Sequence, residues 1–150
     1  MAVDVTQLKA LREETGLSLA DCKQALEEGV GDIEKAKELL AQWGKKSVAK
    51  RQDREAGEGR IEAYLHSTGK VGVMVDLRSE TDFVAKGEDF QSLAHEIALQ
   101  IASMGPDTVE ELLEQDYIKD TSKKMKDLIT EAAAKLGENI KVNKFVRFEV

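Results

Sequence analysis

Residues 60–77 read Arg60-Ile61-Glu62-Ala63-Tyr64-Leu65-His66-Ser67-Thr68-Gly69-Lys70-Val71-Gly72-Val73-Met74-Val75-Asp76-Leu77. Apolar positions recur at every second residue on both sides of Ser67-Thr68-Gly69: Ile61, Ala63 and Leu65 before it, Val71, Val73, Val75 and Leu77 after it. A period of two belongs to strands, and a Gly-containing turn between two such runs predicts a β-hairpin. One face of that hairpin is strongly apolar and needs a cover. Downstream, Phe90, Leu93, Ala94, Ile97, Ala98 and Ile101 keep the i, i+3, i+4, i+7 spacing of a helix with one buried stripe. Gly105-Pro106 stops it. Thr108 with Glu111 predicts a capping box before a short helix carrying Val109, Leu112 and Leu113. Met125, Leu128, Ile129, Ala132, Ala133 and Leu136 repeat the helical stripe, and Gly137 ends it. The tail alternates again through Ile140, Val142, Val146, Phe148 and Val150, interrupted by Lys144. The order strand, strand, helix, short helix, helix, strand predicts a three-stranded antiparallel sheet covered by helices on one face.

Upstream of the hairpin the period is 3.6. Asp4 is expected to cap a first helix, with Gln7 completing a capping box and Val5, Leu8 and Leu11 on its inner face. Ser18 caps a second, with Leu19, Cys22 and Leu26 on one stripe. Asp32 caps a third, with Ile33, Ala36, Leu40 and Trp43, and Gly44 fits its left-handed end. The fold class is therefore α+β. The expected domains are a three-helix bundle over residues 1–44, a basic linker over 45–57, helical or extended, and a sheet-plus-helices core and dimerisation domain over 58–150. Forty-odd residues make a marginal core, so the bundle is expected to lean on a neighbour.

The 150 residues carry 22 Lys/Arg against 29 Asp/Glu, a formal charge of −7. Residues 1–54 balance to zero, so the acidic surplus lies in the second part. An acidic chain repels phosphate, which argues against direct nucleic-acid binding. Lys45, Lys46, Lys50, Arg51 and Arg54 form one basic stretch, read either as a solvated linker helix or as a contact for an acidic surface. No apolar run reaches the length of a membrane span, and residues 1–5 have neither the basic start nor the apolar core of a secretory signal. The single cysteine, Cys22, excludes an internal disulfide and points to a reducing, cytoplasmic setting.

Motifs for catalysis are missing. Gly69-Lys70 is followed by Val71 and lacks the rest of a phosphate loop. Glu62 and His66 share a strand face and read as solvated. No catalytic residue, cofactor site or metal site is expected. The segment Ser79-Glu80-Thr81-Asp82-Phe83-Val84-Ala85-Lys86, between the second strand and the covering helix, stands out. Polar Glu80, Thr81 and Asp82 suit a strand-to-helix junction, where a carboxylate can cap free amides; this accounts for Thr81 and Asp82, but not for bulky Phe83 beside them. It belongs either in the sheet–helix core or on the surface, as an aromatic wedge offered to a partner.

At these residues the chain resembles the bacterial elongation factor Ts family, guanine-nucleotide exchange factors for elongation factor Tu. The resemblance is carried by Leu11-Arg12-Glu13 and Thr15-Gly16; by Asp21-Cys22-Lys23 with Ala25-Leu26; and by Gly31-Asp32 with Glu34-Lys35-Ala36. In the second part it is carried by Glu80-Thr81-Asp82-Phe83-Val84-Ala85 and by Lys135-Leu136-Gly137-Glu138-Asn139-Ile140. Many members carry methionines where Leu19 and Ala20 stand here. Longer members have a second sheet module and a coiled-coil insertion, so this chain resembles a short form in which a second subunit replaces the missing module.

The resemblance implies a ubiquitin-associated-like N-terminal bundle. It also implies that the chain binds elongation factor Tu, GDP-bound and nucleotide-free, and promotes exchange of GDP for GTP without being an enzyme. Thr81, Asp82, Phe83 and Val84 would dislocate Mg2+ from the partner, and Lys23, Leu136 and Gly137 would contact it. A homodimer pairing through residues 140–150, and no membrane partner, complete the expectation. The rival class is a non-catalytic, ubiquitin-associated-like adaptor.

Overall fold

The computed structural model describes residues 2–150. Three helices open the chain: α1 (Val5–Thr15), α2 (Leu19–Glu28) and α3 (Ile33–Arg51). Their starts are set by side-chain caps. The Thr6 amide donates to Asp4, the Asp21 amide to Ser18, and the Glu34 and Lys35 amides to Asp32. Gln7 makes no capping box; its side chain donates to the Gly31 carbonyl at 3.3 Å and stitches α1 to the α2–α3 turn. Leu11, Cys22, Ala25, Leu26, Ala36 and Leu40 form the bundle core, while Val5 and Leu19 stay exposed.

Gly44 does not end the third helix, which runs on to Arg51 through most of the basic stretch. The reason lies outside α3. A Cβ at Gly44 would come within 3.1 Å of the Ala134 methyl, so the glycine permits close packing against a later helix. Val48 packs on the second core, and Arg51 donates to the Ala133 carbonyl at 3.3 Å. Tertiary contact thus carries the helix past a residue with poor intrinsic helix propensity.

The second part runs β1 (Glu58–Leu65), β2 (Val71–Ser79), α4 (Asp82–Ala85), α5 (Glu88–Met104), α6 (Val109–Glu114), β3 (Asp116–Tyr117), β4 (Asp120–Lys124), α7 (Met125–Leu136) and β5 (Lys141–Glu149). The main sheet has the order β1-β2-β5, antiparallel throughout. Val73, Val75 and Leu77 meet Phe90, Leu93, Ala94, Ile97, Ala98 and Ile101 of α5, and Leu112, Met125, Ile129 and Ala133 close the same core. At roughly 1.5–3 kcal/mol for each large apolar side chain buried, this cluster dominates the stability of the second part.

Two expected face assignments are reversed. The hairpin register pairs Leu65 with Gly72 and Tyr64 with Val73. Cross-strand partners share a face, so Tyr64 turns toward α5 while Ile61, Ala63 and Leu65 join Gly72 and Met74 on the outer side. In β5, a bulge opposite Asp76/Leu77 shifts the parity. Val142 is buried on the inner side, but beyond the bulge Phe145 and Arg147 face in, and Val146 and Phe148 face out. The interruption at Lys144 marks that bulge. Arg147 then donates to the Ala102 carbonyl at 3.0 Å, a cation placed near the C-terminal end of α5.

The bulge is held by a satisfied carboxylate. Arg78 grips Asp76 with Nε at 2.6 Å and Nη2 at 3.0 Å, and Asn143 Nδ2 donates to it at 3.0 Å. The hydrogen bond from Arg78 holds the Asp76 carboxyl below the usual aspartate range; burial opposes this, and Asn143 adds to the lowering. The unfolded state therefore takes up the proton first as pH falls. The stabilisation is complete above the unfolded aspartate value of about 3.9 and is lost as pH drops through the lower folded value. We expect the stability gap between wild type and Asp76→Asn, measured by urea unfolding, to narrow steadily as pH falls from about 5 to about 3. A gap constant across that range would remove Asp76 from the acid response.

The β3–β4 hairpin is not foreseen from the sequence. Its strands are short and polar, and a buried side chain of α5 holds it. Gln100 Nε2 donates to the Gln115 side chain and the Asp116 carbonyl, and its Oε1 accepts from the Ile118 amide at 3.0 Å. Tyr117 donates to Glu96 at 2.8 Å, and burial together with that carboxylate pushes the phenol up to about 12. Among the described residues no helix is long and apolar enough to cross a membrane.

Candidate functional site

The segment after β2 turns sharply into α4, a helix of only four residues. Thr81 is its cap: the Val84 amide donates to the Thr81 hydroxyl at 3.3 Å, and the Ser79 hydroxyl donates to the Thr81 carbonyl at 2.9 Å. Consecutive helical residues point about 100° apart. Val84 and Ala85 turn into the main core, with Val84 only 9% exposed, and Phe83 is thereby swung outward, 88% exposed. The core placement for Phe83 is excluded. Asp82 is exposed beside it and pairs with Lys86 at 2.7 Å, one helical turn on; that hydrogen bond raises the Lys86 ammonium above its ordinary value.

The turn is clamped from the α7–β5 loop. Gly137 ends α7 in the left-handed conformation, φ 73°, which sends the chain back toward the turn. Glu138 then accepts three hydrogen bonds: the amides of Glu80 and Thr81 donate to Oε1 at 3.1 and 3.0 Å, and the Thr81 hydroxyl donates to Oε2 at 2.7 Å. The contact is reciprocal, for the Asn139 amide donates to the Glu80 carboxylate at 2.7 Å. Asn139 is buried, and its Nδ2 donates to the carbonyls of Gln52 and Arg54 at 3.3 and 2.8 Å, just past α3. Arg54 lies 3.8 Å from Glu80.

Thus Thr81, Asp82 and Phe83 lie on one exposed turn with Val84 as its root, and Leu136-Gly137 lead directly into the clamp. Lys23 is exposed on α2, in the bundle, and among the described residues shares no hydrogen bond with the turn. Glu138 and Asn139 are functional candidates to which sequence reasoning assigns no role, and Glu80 is marked there only as polar at the junction. They were visible only as two polar clusters 57–59 positions apart, a separation that says nothing about contact. A cleft of about 500 Å3 opens between α3 and α7, lined by Leu17, Leu40, Ala41 and Ala134; no residue of the turn lines it.

The folded chain is a two-part α+β protein whose most exposed aromatic stands on a clamped turn between sheet and helix. The family profile described as Elongation factor TS matches residues 80–150, which begin at this turn. An elongation factor Ts of Leptospira biflexa (strain Patoc 1) is 43% identical over 195 residues, covering 100% of this chain and 98% of the relative. One of Coprothermobacter proteolyticus is 41% identical over 193 residues, covering 99% and 98%. One of Carboxydothermus hydrogenoformans is 40% identical over 188 residues, covering 95% and 87%. The chain belongs to the elongation factor Ts family, and with it to the translation elongation factors.

Proposed function

We propose that this chain is a guanine-nucleotide exchange factor that binds elongation factor Tu, in its GDP-bound and nucleotide-free states, and promotes replacement of GDP by GTP. The observation that carries the reading is Phe83: a bare ring, on a root buried in its own core, at the end of a turn gripped by three hydrogen bonds from the chain to Glu138. Exposing such a ring costs hydrophobic free energy in the isolated protein, and a partner that buries it recovers that cost.

In this mechanism Phe83 enters between helices of the partner's nucleotide domain and Asp82 meets polar groups beside it. Thr81 and Val84 hold the turn in shape. Leu136 and Gly137 lie against the same domain, the glycine allowing close approach, and Lys23 adds a contact from the bundle. The partner's Mg2+ is displaced indirectly, so its phosphates lose their counter-charge and GDP leaves. No bond of the nucleotide is made or broken and no cofactor of the chain's own is used. Whatever factor the chain takes from nucleotide affinity, the nucleotide takes from the chain's. The bundle of residues 1–44 and the domain of residues 58–150 act as two contact units joined by residues 45–57. The setting is the cytoplasm, without direct nucleic-acid or membrane contact.

The chain also forms a homodimer in this proposal. The support is the outer sheet face, where Ile61, Leu65, Met74, Val146 and Phe148 are all exposed and lie on adjacent, paired strands, with exposed Val150 just beyond β5. Monomers seldom expose so continuous an apolar face. Two such sheets packed face to face about a twofold axis cover it symmetrically. The face of the sheet, rather than the edge of residues 140–150, is then the dimer surface.

Fluorescent GDP released from loaded elongation factor Tu tests the exchange reading. Adding the chain is expected to raise the release rate about a hundredfold or more, each tenfold corresponding to about 1.4 kcal/mol. Stable binding with an unchanged release rate would favour the adaptor instead.

A further inference from the structure

We propose that Glu138 and Asn139 are positioning residues for nucleotide exchange, acting through the turn they clamp and never on the partner. The proposal deepens the exchange reading and rests on it. A four-residue helix cannot hold its own direction, because one hydrogen-bonded turn is marginal by itself. The two amides that precede it, of Glu80 and Thr81, both donate to a side chain 57–58 residues away. Glu138 is thus the acceptor that fixes where the chain leaves the sheet, and through the Thr81 hydroxyl it also fixes the helix cap.

The reciprocal bond from the Asn139 amide to Glu80 prevents the two loops from sliding past each other. Asn139 then reaches the Gln52 and Arg54 carbonyls, so one two-residue segment holds both the Phe83 turn and the exit of the N-terminal bundle. A wedge pushed into a partner must keep its aim under load. A clamp that orders it beforehand removes that cost from the docking step. The Thr81 hydroxyl and amide stand near solvent, so water can replace Glu138 as their acceptor without unfolding the core; orientation is lost rather than the fold.

The test is GDP release from elongation factor Tu, followed to saturation with protein, for wild type, Glu138→Ala, Glu138→Gln and Asn139→Ala. Glu138→Ala is expected to lower the saturating rate about tenfold; Asn139→Ala, which keeps the backbone bond to Glu80 and removes only the anchor to Gln52 and Arg54, is expected to lower it less. Glu138→Gln keeps one oxygen for the two amides and an NH2 that the Thr81 hydroxyl can accept, and is expected to stay within about threefold of wild type.

A merely structural role predicts a different result. Partial unfolding reduces the active fraction, which moves the half-saturating concentration and leaves the saturating rate unchanged; that outcome overturns the proposal. Should Glu138→Ala fail to fold, Glu138→Asp, whose shorter arm cannot span the same three donors, carries the comparison. Hydrogen exchange reads the clamp without any partner: the Glu80 and Thr81 amides are expected to be protected in wild type and released in Glu138→Ala, and unprotected amides in wild type overturn the proposal. A wild type that fails to speed release sinks the exchange reading; a wild type that succeeds, matched at saturation by Glu138→Ala, sinks only the clamp.

Discussion

Phe83→Ala is expected to slow GDP release from elongation factor Tu by about thirtyfold or more, the equivalent of about 2 kcal/mol lost from a buried aromatic anchor. Its own fold should hardly notice. The ring is 88% exposed and is not a member of the main core cluster, so thermal unfolding should match wild type closely. This combination separates the wedge from a packing residue, because truncating a buried phenylalanine costs about 3–5 kcal/mol of stability. Asp82→Ala should do less, since its carboxylate is an exposed partner of Lys86 and exposed pairs contribute little. Near-normal release by a folded Phe83→Ala protein would take the ring out of the mechanism and leave the exchange activity without a known point of force.

Met74→Lys is expected to convert the protein from two chains to one, read as mass by light scattering. Met74 lies on the central strand of the outer sheet face, paired with Ala63 on one side and Val146 on the other. It is 51% exposed in the single chain, so a lysine there can reach water and the fold survives. Across a twofold interface the same lysine loses its water and faces its own copy, and an unpaired buried charge is strongly destabilising. Because each chain carries −7, salt should also strengthen the proposed dimer by screening repulsion. A wild type that runs as one chain at working concentration would overturn the homodimer.

The elements of this protein and the buried stripes of its helices are readable from local pattern; the faces of β1 and β5 are not. Periods of two and 3.6 mark β1, β2, β5, α5 and α7, and Asp4, Ser18, Asp32 and Thr108 mark helix starts, because these signals act within a few residues. The hairpin faces failed because parity is set by the turn register, which puts Leu65 opposite Gly72 instead of opposite a core valine. The tail failed at one extra residue, the bulge near Lys144, which reverses every side chain after it. Gly44 reads as a stop and is in fact a contact, since the helix it should end is held by Ala134 ninety positions away.

The same division runs through the site. Thr81-Asp82-Phe83-Val84 stood out in the sequence because a large ring beside a helix cap has no local explanation. Whether the ring was buried or bare depended on where Val84 and Ala85 found their core, and that is a property of α5 and the sheet. Glu80 and Glu138-Asn139 stand in the sequence as two polar clusters, and nothing local joins them into a clamp. Sequence by itself determined the α+β class, the caps, the helix stripes and the candidate turn, for each follows from chemistry between near neighbours. Tertiary structure alone decided strand parity, the length of α3, the outward ring and the clamp, because each depends on groups that chain folding brings together from far apart.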